Sequence, residues 1–192
     1  VSSKKQKGTK ITFTPDSEIF GDISLKPKRV YDLAKSKAYL YKGFEIHWSC
    51  SPELINNEEV PAKSVIHFPN GLKDYLDSKL DKEKIIGGEI FSGNAEIASE
   101  AMKIEWAMCW HEDENFVQSY CNTIPTSQGG THEQGNRAAL CRSIKIYGEM
   151  TGIKKVSLIT PEDILESACI VISVFIKNPV FQGQTKEKLV SN

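Results

Sequence analysis

The feature that most constrains the fold is an apolar run at residues 169–176, Cys-Ile-Val-Ile-Ser-Val-Phe-Ile, close to the end of a 192-residue chain. A run this apolar and this rich in β-branched residues reads as a buried strand. Lys177, Asn178 and Pro179 break it, and the chain then enters Phe181, Gln182, Gly183, Gln184, Thr185, Lys186, Glu187 and Lys188. The expectation is a buried strand that empties into a glycine-hinged loop tipped with lysine. Gly183 bends where another residue would be strained. Gln184 and Lys186 offer an amide and an ammonium to whatever lies opposite, and lysine on its long stem is a point charge suited to phosphate oxygens. Most lysine-bearing loops are only solvated, so spacing alone does not separate the two uses.

Composition sets bounds on the rest. The chain is 40% hydrophobic and 26% charged, an ordinary globular balance, at a length that suits one large domain or two small ones. Lys and Arg total 24 against 25 Asp and Glu, a formal charge of -1. No global field draws such a protein to DNA or to an anionic membrane, so a nucleic-acid role needs a local patch or a partner. Cys50, Cys109, Cys121, Cys141 and Cys169 are odd in number and widely spaced. That argues against zinc ribbons and disulfide frameworks, and for reduced thiols in a cytoplasmic protein. No signal-peptide pattern opens the chain and no apolar run is long enough to cross a bilayer, so no membrane partner is expected.

Taken in order, residues 1–7 are polar and basic and read as disordered or as a cut end. Residues 8–13 alternate as a strand, with Ile11 and Phe13 on one face. Residues 28–41 form an amphipathic helix through Val30, Leu33, Ala34, Ala38 and Tyr41, stopped at Gly43. Strands follow at 44–48 and 64–68, separated by a polar loop. Leu72, Tyr75, Leu76 and Leu80 mark a short helix, and an apolar stretch at 85–91 is a strand broken at Gly87 and Gly88. Ile104, Trp106, Met108 and Trp110 form a stripe that belongs in the core. Residues 111–115 read as a solvated hairpin turn rather than a metal site, and 116–122 as the strand paired across it. Thr131 and Gln134 have the spacing of a capping box that opens a helix carrying Leu140, Cys141, Ile144 and Tyr147 on one face. Gly129 and Gly130 before that helix form only a weak anion site without a following lysine. His132 is expected to hydrogen-bond a neighbouring loop rather than act as a base. Thr160, Pro161, Glu162 and Asp163 start a last helix. Strands and helices without regular alternation imply an α+β domain.

Two motifs carry a family resemblance. One is Phe181-x-Gly183-Gln184-Thr185-Lys186. The other comprises Ser119, Tyr120, Asn122, Thr126, Gly129, Gly130, Thr131, His132, Gly135, Arg137, Ala138, Ala139 and Leu140. Together they resemble the B subunits of bacterial type IIA DNA topoisomerases, gyrase and topoisomerase IV. Cys121 with Ile124, Pro125 and Thr126, and the Ile-Ser-Val strand, look more like topoisomerase IV. Departures are Ser127-Gln128 in place of Pro-Glu, and Asn136 in place of an aromatic residue or leucine.

The resemblance implies that residues 1–69 are the C-terminal portion of a GHKL-type ATPase sandwich and residues 70–192 a ribosomal-protein-like transducer domain. ATP and Mg2+ are the implied cofactors of the complete subunit. Its metal-binding asparagine, glutamate base, Asp-x-Gly-x-Gly turn and lid are not in this sequence, so the chain reads as a piece of an enzyme, without a metal site of its own. Gln184 and Lys186 carry over as contacts to the γ-phosphate, Lys186 as the catalytic cation, and Thr9 as a neighbour of the adenine. Lys7 stands where the family often has threonine. The implied partners are a second B subunit in an ATP-dependent homodimer, an A subunit in an A2B2 complex, and double-stranded DNA. Arg137, Arg142 and Lys145 either line a cavity for DNA or form a solvated helix face. Two other classes remain open at this point: a mismatch-repair or heat-shock relative of the same fold, and a stand-alone nucleic-acid-binding module, which the near-neutral charge disfavours.

Overall fold

The apolar run near the C-terminus does form a strand, and its burial dictates the order of the sheet around it. The computed structural model describes residues 8–21, 25–55 and 60–191. The chain opens with helices α1 (Ser17–Phe20) and α2 (Pro27–Leu40), then strands β1 (Glu45–Ser49) and β2 (Lys63–His67), which pair only with each other. Helix α3 (Leu72–Lys79) leads to strands β3 (Ile85–Ile97), β4 (Met102–His111), β5 (Phe116–Cys121) and β6 (Ile124–Pro125). Helices α4 (Thr131–Met150) and α5 (Pro161–Leu165) precede the final strand, β7 (Ala168–Phe175). The five-stranded sheet has the order β3-β4-β7-β5-β6.

Residues 168–174 of β7 are all buried. A strand with no polar face needs neighbours along both edges and cover on both faces. It therefore inserts between β4, antiparallel to it, and β5, parallel to it. This corrects the expected hairpin: β4 and β5 follow one another in the chain, but β7 lies between them. In the turn at 111–115 residues 112–115 are exposed, as expected, and His111 anchors it from below. His111 is buried, its Nδ1 accepts the backbone N–H groups of Asp113 and Glu114, and its Nε2 bonds Asp81 O at 3.2 Å.

Strand β3 runs well past residue 91, to Ile97, as one strand with an irregularity between Ile86 and Phe91. Gly87 and Gly88, at φ +79° and +73°, supply the bulge. The last helix starts at Thr160 as expected, and its cap is a full capping box: Asp163 N donates to Thr160 Oγ1 at 3.2 Å, and Thr160 N to Asp163 Oδ2 at 2.8 Å.

Other expectations change. Residues 8–16 form no strand, and Ile11 and Phe13 are exposed. Alternation makes a strand only where a neighbouring edge supplies hydrogen bonds, and β1 and β2 satisfy one another. Helix α2 spans the predicted residues, but Leu33 and Tyr41 are exposed while Ala38, Tyr39 and Leu40 are buried in succession. Its last turn plunges into a cluster with Leu72, Leu76, Ala107, Cys109, Tyr120 and Val171, where every direction is apolar. Tyr39 stacks on Tyr75 with centroids 4.0 Å apart, and its hydroxyl meets that of Tyr120 at 2.5 Å.

Along β4 the fully buried residues are Ala107, Met108, Cys109 and His111, whereas Ile104, Trp106 and Trp110 are half-buried. The predicted core stripe is therefore one wall of a cavity of about 790 Å³. The opposite wall is α4, through Ala139, Leu140, Ile144 and Tyr147. Only His132 and Gly148 are buried along α4, so the helix stands off the sheet rather than lying on it. All five cysteines are unpaired, with Cys109, Cys121 and Cys169 buried. Among the described residues no helix is long and apolar enough to cross a membrane. Residues 1–7, and residues 56–59 of the polar stretch between β1 and β2, lie outside the described residues.

Gly148 lets α4 close on the turn that follows it. A Cβ there would come within 2.3 Å of Val156 Cγ2 and 2.8 Å of Val156 Cβ. Overpacking of this kind costs about 1–3 kcal/mol, more than the roughly 1 kcal/mol alanine gains in helix propensity. Gly148→Ala is expected to lower stability in urea denaturation, and Val156→Ala in the same chain to recover only part of the loss, since it removes the γ-methyl clash but keeps the Cβ.

Candidate functional site

Beyond β7 the chain makes a narrow loop. Val190 N donates to Val180 O and Gln182 N to Lys188 O, both at 2.9 Å, so residues 183–187 form a closed tip. Gln184, Thr185 and Lys186 are exposed there. Gly183 has φ +81°, and Lys186 itself has φ +59°. A non-glycine residue in the left-handed region costs about 1–2 kcal/mol, so the surroundings must hold it there. Gln184 and Lys186 thus share one projecting tip, as their spacing suggested.

The outgoing limb is held by Asn122. Its side-chain amide bonds the backbone of Ile176 in both directions, Nδ2 to O and N to Oδ1, each at 3.0 Å. Its own N–H donates to Val174 O at 2.8 Å. Asn122 and Thr123, at φ +48° and +64°, form the two-residue turn between β5 and β6.

The return limb is zipped to the strip that precedes α4. Gln128 N donates to Glu187 O at 2.9 Å, Leu189 N to Gly129 O at 3.0 Å, and Thr131 N to Leu189 O at 3.1 Å. The Gln128 amide reaches the Glu187 carboxylate at 3.0 Å, and Thr131 Oγ1 donates to Ser191 O at 2.5 Å. Gly130, at φ +147°, has no room for a side chain: a Cβ would lie 2.3 Å from Leu189 O. The glycine pair is therefore a backbone docking strip and not an anion site. Thr131 is not the helix cap either. Gly130 takes that position without a side-chain bond, and Thr131, one residue further on, turns its hydroxyl to the return limb.

Beneath the strip lies a buried polar chain. Thr126 N donates to Ser119 O, and Thr126 O accepts from Gly129 N, both at 2.9 Å. Thr126 Oγ1 lies 2.6 Å from Ser119 Oγ and 3.0 Å from His132 Nε2. Ser119 Oγ donates to Glu133 Oε1 at 2.7 Å. Because serine has one proton and gives it to the carboxylate, the order that satisfies each group runs His132 Nε2–H to Thr126, Thr126 to Ser119, and Ser119 to Glu133. His132 therefore bonds a neighbouring loop, as expected. Burial holds its imidazole below the ordinary value, with Glu133 pulling the other way. Its Nδ1 is buried without a partner, which suits the neutral ring.

The remaining candidates stand apart from the tip. Thr9 is exposed in the irregular N-terminal stretch. Arg137 and Arg142 are exposed and Lys145 half-buried on α4, and among the described residues none of the three makes an ion pair. Sequence reasoning missed the hub role of Thr126, since a lone threonine carries no periodic signal. It also missed Lys37. That ammonium leaves α2 to bond Thr123 O at 3.0 Å and Thr123 Oγ1 at 2.6 Å, and burial lowers its pKa.

The two motifs that frame this loop fall within residues 71–192, the stretch matched by a family model described as DNA gyrase B. The chain belongs to the DNA gyrase B family. Within it, the chain is 56% identical over 194 residues to the B subunit of DNA topoisomerase 4 from Rickettsia felis, an alignment that covers 100% of this chain and 29% of that protein. It is 49% identical to the protein of the same name from Caulobacter vibrioides, covering 98% of this chain and 28% of that one. The chain thus spans under a third of the curated relatives it matches. Among solved structures, it resembles the topoisomerase IV ATP-binding domain of Francisella tularensis in complex with a small-molecule inhibitor. The TM-score is 0.71 and the identity 35%, over 92% of this chain and 45% of that one. The 43K ATPase domain of Thermus thermophilus gyrase B, at TM-score 0.76 and 24% identity over 93% of this chain and 46% of that one, shares the fold. The α+β class and the gyrase B type of fold are therefore as the motifs implied.

The neutral His132 has a consequence for stability. An unfolded chain takes up a proton near the ordinary histidine value of 6.5, whereas the folded chain resists until lower pH. Below that point the unfolded state binds more protons, so stability falls as the pH drops. His132→Gln is expected to flatten the decline between about pH 7 and 5, measured by urea midpoints. An undiminished slope would assign the proton to another group.

Proposed function

We propose that this chain is the part of a topoisomerase IV B subunit that links nucleotide hydrolysis to DNA strand passage. Residues 1–69 are the end of its ATPase domain and residues 70–192 its transducer domain. The observation that carries this reading is the 56% identity to a topoisomerase 4 B subunit across the whole chain, with the Gln184 and Lys186 loop intact.

In this reading Lys186 contacts the γ-phosphate of ATP and Gln184 orients it. The exposed amide and ammonium at one tip suit phosphate oxygens. A cation held where charge develops in phosphoryl transfer stabilises the transition state and needs no reorganisation during reaction. By the family resemblance, the residues that hold the magnesium accompanying ATP are not in this sequence. The ion supplies charge neutralisation on the phosphates. Thr9 lies near the adenine. Loss of the γ-phosphate removes the loop's tether, so Lys186 reports the nucleotide state as well as serving hydrolysis.

The complete subunit works in the cytoplasm, as an ATP-dependent dimer of B subunits joined to A subunits in an A2B2 complex on double-stranded DNA. Arg137, Arg142 and Lys145 are the DNA-facing candidates, supported by the exposure of the two arginines on one helix.

In the complete subunit, Lys186→Ala is expected to lower ATP turnover by about 10²-fold or more while nucleotide binding changes little. Unchanged turnover would remove Lys186 from the reaction. Neutralising Arg137, Arg142 and Lys145 together is expected to make DNA affinity less salt-dependent, by roughly one unit of log–log slope for each phosphate the protein no longer neutralises. An unchanged slope would leave them as a solvated face.

A further inference from the structure

Within the Lys186 tip one side-chain hydrogen bond forms, from Thr185 Oγ1 to Glu187 Oε2 at 3.2 Å, and the rest of its order comes from the limbs. It is a left-handed turn at the end of two limbs, with exposed side chains and a glycine hinge. Its return limb gains order from the strip at residues 128–131, through the hydrogen bonds to Glu187, Leu189 and Ser191. That strip is in turn poorly equipped to order itself. Gly129 and Gly130 have no side chains to pack, and both sit at positive φ, a region that glycine reaches without the strain other residues meet.

One buried residue fixes it. Thr126 is 3% exposed and uses every polar atom it has. Its carbonyl holds Gly129 N, its N–H holds Ser119 O on the central sheet, and its hydroxyl joins Ser119 to His132 at the start of α4. Thr126 therefore fastens the strip at both ends, to β5 on one side and to the helix on the other. Ser119 shares the link, bonding Thr126 from β5 and Glu133 on α4.

We propose that Thr126 is the positioning residue of the Lys186 loop: through the Gly129–Gly130 strip and the hydroxyl chain to Ser119 and His132, it sets where the Lys186 ammonium stands against the γ-phosphate. This rests on the reading of Lys186 as the phosphate cation. Thr126 touches no nucleotide. It acts on turnover only by way of the lysine, and a small misplacement of a charge in phosphoryl transfer is costly in rate while leaving nucleotide capture alone.

The test uses the complete B subunit with steady-state ATP hydrolysis. Thr126→Val keeps the volume and removes the hydroxyl. It is expected to lower kcat about tenfold with KM changed less than about twofold. Thr126→Ser, which restores the hydroxyl, is expected to recover kcat to within about threefold. The decisive measurement is the double variant. In a Lys186→Ala background Thr126→Val should cost less than about twofold more, because the route it acts through is already gone. A normal kcat in Thr126→Val overturns the proposal, and so does a tenfold loss that persists undiminished in the Lys186→Ala background. If Lys186→Ala alone leaves turnover unchanged, the phosphate reading itself has failed and the proposal falls with it, a result distinct from the other two. Should Thr126→Val not fold, Thr131→Val attacks the far end of the strip by removing the bond to Ser191. A loss confined to kcat there supports the proposal, and an unchanged kcat overturns it.

Discussion

The structure depends on a backbone zipper that has two glycines at the centre of one edge. Leu189 exchanges hydrogen bonds with Gly129 and Thr131, and its carbonyl would lie 2.3 Å from any Cβ at Gly130. Two segments some sixty residues apart can approach this closely only if one of them is glycine. Most of what distinguishes the chain follows from that contact. The glycine pair gives up its N–H and C=O groups to the loop, Thr131 forgoes the capping role its spacing suggests, and α4 starts where the loop ends.

The zipper would be useless without a rigid platform, which β7 provides. Its burial on both faces forces β4 and β5 apart and seats them on either side of it. Asn122 then extends the platform by one step, its amide standing in for a backbone pair at Ile176. The outgoing limb is continuous with the central strand of the sheet, while the return limb is tied to the start of α4. Two sequence motifs that look independent in the chain are therefore two halves of one clamp.

Much of this was legible from residues alone, and the misses have physical reasons. The buried strand at 169–176, the helix start at Thr160, and the strands at 44–48 and 64–68 are local features, and the residues themselves announce them. The insertion of β7 between β4 and β5 is a non-local pairing on which periodicity is silent. Residues 8–13 alternate as a strand should but meet no edge that would make them one. The buried end of α2 was hidden because Ala38, Tyr39 and Leu40 are consecutive, which a one-faced helix pattern does not anticipate. The grouping of Gln184 with Lys186 was visible in their spacing. The support from Thr126 and Ser119 was not, since hydroxyl chains are set by tertiary proximity.

The left-handed backbone at Lys186 limits this position from a direction unrelated to charge. β-Branched side chains are strained in that region by their Cβ substituents, and glycine would adopt the turn freely but carry nothing. Asparagine tolerates the same torsion but is short. A long unbranched stem meets the turn with less strain, and lysine and arginine both offer one; the charge they carry is a separate demand, set by what lies opposite and not by the turn. Between those two, the compact ammonium can turn its three donors toward oxygens from a single point, whereas a planar fork must approach them along one plane. The tolerance of the site to substitution is thus set first by the geometry of a turn and only second by what the turn presents.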